Sequence, residues 1–353
     1  MKIIFHGAAR EVGKSCIEIQ TKGKRYLLDA GVKFIPGGIE YPKFLDKDND
    51  IDGIFLSHAH MDHCGALPML EHKRLNCPIY TTHLTWEISN MMLQDSYHLE
   101  KLKHLHPAYE ERDIKRVEQD LRFVHYDREY ETHDGQIKFR YLNAGHIPGS
   151  ASILMDIEGK KVLYTADINT EETNLMVPTD IEDLQDIDIL INENTYGDRV
   201  HPDRNESEDG LLNSVEEGIK GGGSVLLPVF TIGRSQELLI LLSRLSVNVP
   251  IYLDGMPREL TKKILHDQDP YVRNRETLHD MFSKVHLVKS RHHREKVAKM
   301  NGVIILSSSG MLQGGPSIYY AEQMLGKKEH FIILSGYQAK GTVGRHLFED
   351  HVF

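Results

Sequence analysis

Ser57-His58-Ala59-His60-Met61-Asp62-His63-Cys64-Gly65 stands directly behind the apolar run Ile51–Leu56. Such a run predicts a strand, and side chains repeat with period two along a strand, so His58 and His60 share one side. A helix starting immediately afterwards carries Asp62 and His63 round the next turn toward a second position nearby. One segment would then give two imidazoles to one ion and a carboxylate–imidazole pair to another. Mixed nitrogen and oxygen ligands suit zinc ahead of manganese or iron. The bland alternative is a solvated polar loop, and His-x-His-x-Asp-His is too specific a pattern to favour it.

Two ions need more ligands, and the same half of the chain offers them. Ala144-Gly145-His146-Ile147-Pro148-Gly149-Ser150 follows a predicted strand and presents His146 in a Gly-rich loop. Tyr164-Thr165-Ala166-Asp167 ends another strand with a carboxylate that could bridge two cations. Leu27-Leu28-Asp29-Ala30-Gly31 ends a third with Asp29. Each alone reads as a loop hydrogen-bonder. Together they reinforce one another, because a sheet gathers its strand ends along one edge.

The chain's 353 residues predict about two domains. In the first half, Ser15–Gln20 and Arg25–Ala30 flank a Lys-Gly-Lys turn, and Ser152–Ile157 and Lys161–Ala166 flank Glu158-Gly159-Lys160, which predicts hairpins. Gln136–Leu142 is a further strand, and Leu84 to Leu105 reads as a helix, with Trp86, Met91 and Met92 as core and Leu99 and Leu102 at helical spacing. A boundary falls between Tyr196 and Glu208. Beyond it, helix Gly210–Lys220 stops at three glycines, and strands Ser224–Phe230, Ile251–Asp254, Gly302–Ser307 and His330–Ser335 alternate with helices Ser235–Leu245 and Ser317–Leu325. That alternation predicts a parallel sheet with covering helices.

Composition narrows the function. With 40% hydrophobic and 27% charged residues the chain is neither disordered nor membrane-spanning, and its N-terminus carries no secretory apolar region. The formal net charge of −10 argues against a generic polyanion surface, so nucleic-acid contacts would need local or metal-borne positive charge. Three cysteines at no ligand-like spacing argue against a disulfide framework or a zinc finger and for a reducing cytoplasm.

The set Asp29, His58-Ala59-His60-Met61-Asp62-His63, His146 and Asp167, in that order, resembles the metallo-β-lactamase superfamily. Glu193-Asn194-Thr195-Tyr196-Gly197, Leu227-Pro228-Val229-Phe230, Gly233-Arg234-Ser235-Gln236-Glu237, Ser308-Ser309-Gly310-Met311 and Ser335-Gly336-Tyr337-Gln338 with Gly341-Thr342 resemble its β-CASP branch. That branch includes the cleavage and polyadenylation specificity factor nuclease and ribonuclease J. The resemblance implies an α/β fold: an αβ/βα sandwich over residues 1–202, a parallel-sheet β-CASP cap over 203–345, and the start of a return to the sandwich over 346–353. It implies two zinc ions, with His58, His60 and His146 on one, Asp62 and His63 on the other, and Asp167 bridging. Asp29 would orient a ligand histidine, and Glu193 would hydrogen-bond a histidine. Asp62, Asp167, Asp29 and Glu193 are thus the carboxylates expected to serve catalysis.

The implied function is a ribonuclease acting on single-stranded RNA. A hydroxide bridging two cations would attack phosphorus, expel the 3′ oxygen and leave a 5′-phosphate. Ser308, Ser309 and Gly310, at a strand–helix junction, Arg234 before the Ser235 helix and Lys340 are the candidate phosphate contacts. Arg291-His292-His293-Arg294-Glu295-Lys296 reads as a solvated helix face, and His104 and His106 as surface histidines. The family allows a homodimer, and no membrane contact is expected. Relatives continue past the Gly-Thr segment with a Ser/Gly-x-His motif and a later histidine near His-Gly. The present sequence runs to His351-Val352-Phe353 ahead of both, so the second ion is expected to be the weaker. The competing functions are a hydrolase of small thioesters or lactams and a non-catalytic metal-binding scaffold.

Overall fold

The computed structural model describes residues 1–35, 37–43, 50–73, 76–180 and 184–350. The chain divides into two compact units, Met1–Glu172 with Met176–Thr195, and Thr173–Leu175 with Tyr196–Phe353.

The first unit stacks two mixed sheets. One has the order β1 (Lys2–Phe5), β2 (Ile17–Thr21), β3 (Lys24–Leu28), β6 (Gly53–Phe55), β7 (Ile79–Thr81), β8 (Leu121–Phe123), with a separate hairpin of β4 (Lys33–Ile35) and β5 (Gly38–Glu40). Its strands from β3 to β8 are parallel, so β3, β6, β7 and β8 all end on one edge. The other sheet has the order β13 (Ile189–Ile191), β12 (Lys160–Tyr164), β11 (Ala151–Ile157), β10 (Ile137–Asn143), β9 (Glu129–Glu131). Both predicted hairpins close on two-residue turns. Lys22-Gly23 and Glu158-Gly159 adopt positive φ throughout, the backbone that matches strand twist.

Alternation of burial along β10, where Ile137, Phe139, Tyr141 and Asn143 are buried between exposed neighbours, turns one face inward. There it meets Tyr26, Leu28, Phe55 and Tyr80 of the first sheet. The opposite face of the first sheet packs on helices α1 (Met61–Cys64), α2 (Leu67–His72), α3 (His83–Leu102) and α4 (Glu111–Asp120) through Leu27, Ile54, Leu67, Leu70, Trp86, Ile114 and Val117. Trp86 is core as the sequence suggests. Met91 and Met92 are only half-buried, while Leu99 and Leu102 face water, because the last turns of α3 run beyond the sheet.

The second unit is a parallel sheet of order β16 (His286–Leu287), β15 (Ile251–Asp254), β17 (Ile304–Ser307), β14 (Val225–Pro228), β18 (Phe331–Ile332). Its helices are α5 (Arg204–Lys220), α6 (Arg234–Leu242), α7 (Pro257–His266), α8 (Arg275–Lys284), α9 (Arg291–Val297), α10 (Gly315–Met324) and α11 (Val343–Asp350). Helix α5 begins six residues before the Gly210 expected from sequence, because the Asp203 side chain caps it by accepting the Glu206 N–H. The expected strand His330–Ser335 shrinks to two residues. Helix α9 turns its basic residues largely to water, but Val297 is buried in the core and Arg294 reaches back to the buried Asp254 with two hydrogen bonds, 2.7 and 3.1 Å. Among the described residues no helix is long and apolar enough to cross a membrane.

Candidate metal centre

The edge where β3 and β6 end gathers the predicted residues. Asp29 follows β3 in a left-handed conformation (φ 59°), and Ser57 and His58 follow β6. His60 remains extended (φ −66°, ψ 142°) as the residue before α1, so its side chain falls on the same side as His58. The first turn of α1 then carries Asp62 and His63. Backbone bonds from Ala30 N to His63 O, Val32 N to Met61 O and Ser15 N to Asp62 O seat this turn against the loop after β3. Gly31 is required there: a Cβ would sit 1.5 Å from the Asp62 carbonyl oxygen. His146 follows β10, and Asp167 follows β12.

Four side-chain atoms converge. His60 Nδ1 lies 3.2 Å from His58 Nε2 and 3.1 Å from His146 Nε2, while Asp167 Oδ2 lies 3.7 Å from His58 Nε2 and 3.5 Å from His146 Nε2. Ligands about 2.05 Å from a tetrahedral zinc stand about 3.3 Å apart, so these spacings suit one such ion. Without a cation the three ring nitrogens would have to share a bifurcated proton on His60 Nδ1, whereas a cation takes all three lone pairs. The other Asp167 oxygen, Oδ1, lies 3.3 Å from His63 Nε2, so the carboxylate faces both groups of histidines. Asp62 is half-buried, and its charge partly opposes the lowering of the His60 pKa by burial and by His146.

Behind the histidines stands Asp29, completely buried. Oδ1 accepts the Ser57 N–H at 2.7 Å, and Oδ2 accepts the Ser57 hydroxyl, the Tyr164 hydroxyl and His63 Nδ1, each at 2.7 Å. With Nδ1 bonded to Asp29, Nε2 is the ring nitrogen turned toward Asp167. The Ser57 oxygen in turn lies 3.0 Å from His58 Nδ1, which fixes the same ring orientation there. Burial, then the neighbouring imidazoles, push the His58 pKa well down and hold that of His60 near 4, so both rings offer lone pairs at neutral pH. Burial works against charge on His63, but Asp167 and Asp29 raise its pKa well above the ordinary value. Burial would likewise raise Asp167, but His63, His58 and His146 hold it well below the usual carboxylate range.

Residues 9–228 match the metallo-beta-lactamase superfamily, and residues 235–347 match the Beta-Casp domain. The chain belongs to the metallo-beta-lactamase superfamily, in its Beta-Casp branch. It is 38% identical to the Probable RNase MJ4 of Methanocaldococcus jannaschii, covering 99% of this chain and 82% of that one. The RNase aCSPSF2 of Saccharolobus solfataricus is 35% identical, over 97% of this chain and 68% of that protein. The Drosophila melanogaster Cleavage and polyadenylation specificity factor 73 is 30% identical, over 98% of this chain and 52% of its own length. A crystal structure of a protein of unknown function from Enterococcus faecalis V583 shares the fold, with a TM-score of 0.56 and 15% identity over 94% of this chain and 87% of that one. The superfamily is one of metal-dependent hydrolases, and the His58–His60–His146–Asp167 cluster is chemically suited to a metal ion.

Other predicted positions behave differently. Glu193 is half-exposed and its carboxylate accepts the N–H of Thr195 at 2.8 Å, with no bond to a histidine among the described residues. Ser308 is buried. Ser309 spends its amide on the Gly314 carbonyl, and its hydroxyl bonds the same carbonyl and accepts the Gln313 N–H. Gly310 O accepts from Gln338 Nε2. The Ser309 amide and hydroxyl, two of the donors expected of this turn, are therefore engaged within it. Arg234, at the first position of α6, is exposed and its guanidinium pairs with no carboxylate among the described residues, and Lys340 is exposed. His104 and His106 are at the surface, and His351 lies outside the described residues.

The sequence did not assign roles to Ser57, Tyr164 or Glu237. Glu237 accepts the Asn174 and Leu175 N–H groups at 2.9 and 2.7 Å and pairs with Arg204. The available signal was position: Ser57 opens the histidine motif and Tyr164 is the last residue of the strand before Asp167.

Proposed function

We propose that this chain is a zinc-dependent ribonuclease of RNA processing or decay. The reading is carried by one coincidence: a cluster whose ligand spacings suit a tetrahedral ion, on a chain with a Beta-Casp domain and relatives named as RNases. His58, His60, His146 and Asp167 would hold one ion, and Asp62, His63 and Asp167 a second. When bound, such ions make a nucleophilic water available at neutral pH and neutralise the charge growing on a phosphodiester.

The chain's own groups do the rest. Asp29 holds His63 at Nδ1 and, through Ser57, does the same for His58, so each ring turns Nε2 to the cluster, where a bound cation would take the place of the His63 Nε2 proton. Tyr164 holds Asp29 from the second sheet, which ties the end of β12 to the end of β3. Asp167, at the same end of β12, thereby keeps its two oxygens turned to both histidine groups. Arg234 offers a guanidinium to a phosphate of the strand. The three cysteines are free and buried, which fits a reducing cytoplasm. A homodimer is checked by the solution mass.

A labelled single-stranded RNA, compared with a chromogenic lactam and a thioester, tests the reading. Chelator-sensitive cleavage of RNA leaving 5′-phosphate ends, with no turnover of the other two, is expected. Turnover of lactam or thioester with RNA untouched would favour the small-substrate hydrolase, bound zinc with no turnover at all would favour the scaffold, and well under one zinc per chain would count against any hydrolase.

A further inference from the structure

Three rings of the second unit stand in water and take no part in the metal chemistry. Tyr196, 37% exposed, meets the His201 ring with centroids 4.6 Å apart, and meets Tyr337, 42% exposed, at 6.3 Å. Guanidinium groups surround them. Arg199 lies within electrostatic reach of both tyrosines, Arg345 of Tyr337, and Arg234 of Tyr196. Asp198 and Glu349 pair with Arg199 and Arg345 at the surface. Exposed pairs of this kind are weak and salt-screened, so a phosphate can displace the carboxylate. In a chain of net charge −10, three arginines around three rings are a local reversal of sign.

Position adds a second argument. Tyr337 follows β18, and Arg234 opens the helix that follows β14, and these two strands are parallel neighbours. Both residues therefore emerge from the carboxyl edge of the sheet, where open parallel sheets bind ligands.

We infer that Tyr196, His201 and Tyr337 form a stacking platform for unpaired bases of single-stranded RNA, with Arg199, Arg345 and Arg234 on the flanking phosphates. The inference deepens the ribonuclease reading and rests on it. Every base has a π-face, so such a platform grips RNA with little sequence preference, and arginine beside the rings adds to it. A polyanion is favoured over a protein partner by the clustering of cations.

Tyr337→Ala, Tyr337→Trp and Arg345→Gln in the full zinc-loaded chain test this. A phosphorothioate-linked oligouridine that resists cleavage reports binding, and bis(para-nitrophenyl) phosphate, a diester without a base, reports the metal centre. Tyr337→Ala should weaken oligouridine binding roughly five- to a hundred-fold and raise the ratio of diester to RNA turnover, and Tyr337→Trp should restore both. Arg345→Gln should flatten the dependence of log Kd on log salt by about 0.7. Unchanged affinity in Tyr337→Ala, where the unsubstituted chain binds, overturns the platform and leaves the ribonuclease standing. Diester turnover by an unsubstituted chain that binds no RNA overturns both. A change confined to oligomeric state would make the rings a protein interface and overturn the inference.

Discussion

Asp29 shows how much a single buried carboxylate can organise. It accepts four hydrogen bonds with two oxygens, and one of them sets the tautomer of His63. Asn at this position keeps the size and tolerates the left-handed backbone, but it substitutes two donors for an acceptor facing a ring, a serine and a tyrosine. Asp29→Asn should therefore lower metal affinity or RNA cleavage by about 10- to 100-fold with little change in the circular dichroism spectrum. Zinc titration and initial rates would show it, and wild-type values for both would remove Asp29 from the account. The ligand residues were legible in sequence because imidazoles at His-x-His-x-Asp-His spacing have few other uses. Ser57 and Tyr164 were not. The Tyr164–Asp29 bond joins residues 135 positions apart, on different sheets, and a tyrosine at a strand end carries no mark of the partner it will find.

Elements were most legible where local chemistry fixes them. The hairpins β2–β3 and β11–β12 follow from glycine turns, and β15 runs from Ile251 to Asp254 as its apolar pattern indicates. Boundaries set by side-chain caps or by tertiary pairing were harder, as α5 and β18 show. The packing of α2 on α4 hides a further feature. Glu71 is buried, and that burial raises its pKa to about 7, with Asp120 and Asp113 adding to the effect and Arg116 opposing it. The ordinary value is near 4.5. Between these two pH values the folded chain holds a proton that the unfolded chain has released, so stability declines as pH rises through this window and the loss is complete above it. The cost at pH 8 is on the order of 2–3 kcal/mol. Glu71→Gln should raise Tm by several degrees at pH 8 and change it little at pH 5. Thermal unfolding at the two pH values checks this, and an equal shift at both would mean that Glu71 is not protonated in the fold.

Across the molecule, sequence periodicity marks a hairpin-rich half and a strand–helix half; the antiparallel pairs β1–β2, β2–β3, β10–β11 and β11–β12 lie in the first compact unit, and the strands of the second pair in parallel. What the sequence could not convey is how loop donors are spent. In Ser308-Ser309-Gly310 the Ser309 amide and hydroxyl both turn to the Gly314 carbonyl, which no sequence pattern marks. His60→Ala and Asp167→Ala should each reduce RNA cleavage by at least about 1,000-fold while leaving Tm within a few degrees. Near-normal cleavage by either variant would show that these residues do not serve the reaction.

Crystals grown with zinc, with diffraction recorded on both sides of the zinc absorption edge, examine the cluster directly. We expect an anomalous peak enclosed by His58, His60, His146 and Asp167, and a second one beside Asp62 and His63. A map without a peak among these side chains at saturating zinc would contradict the account.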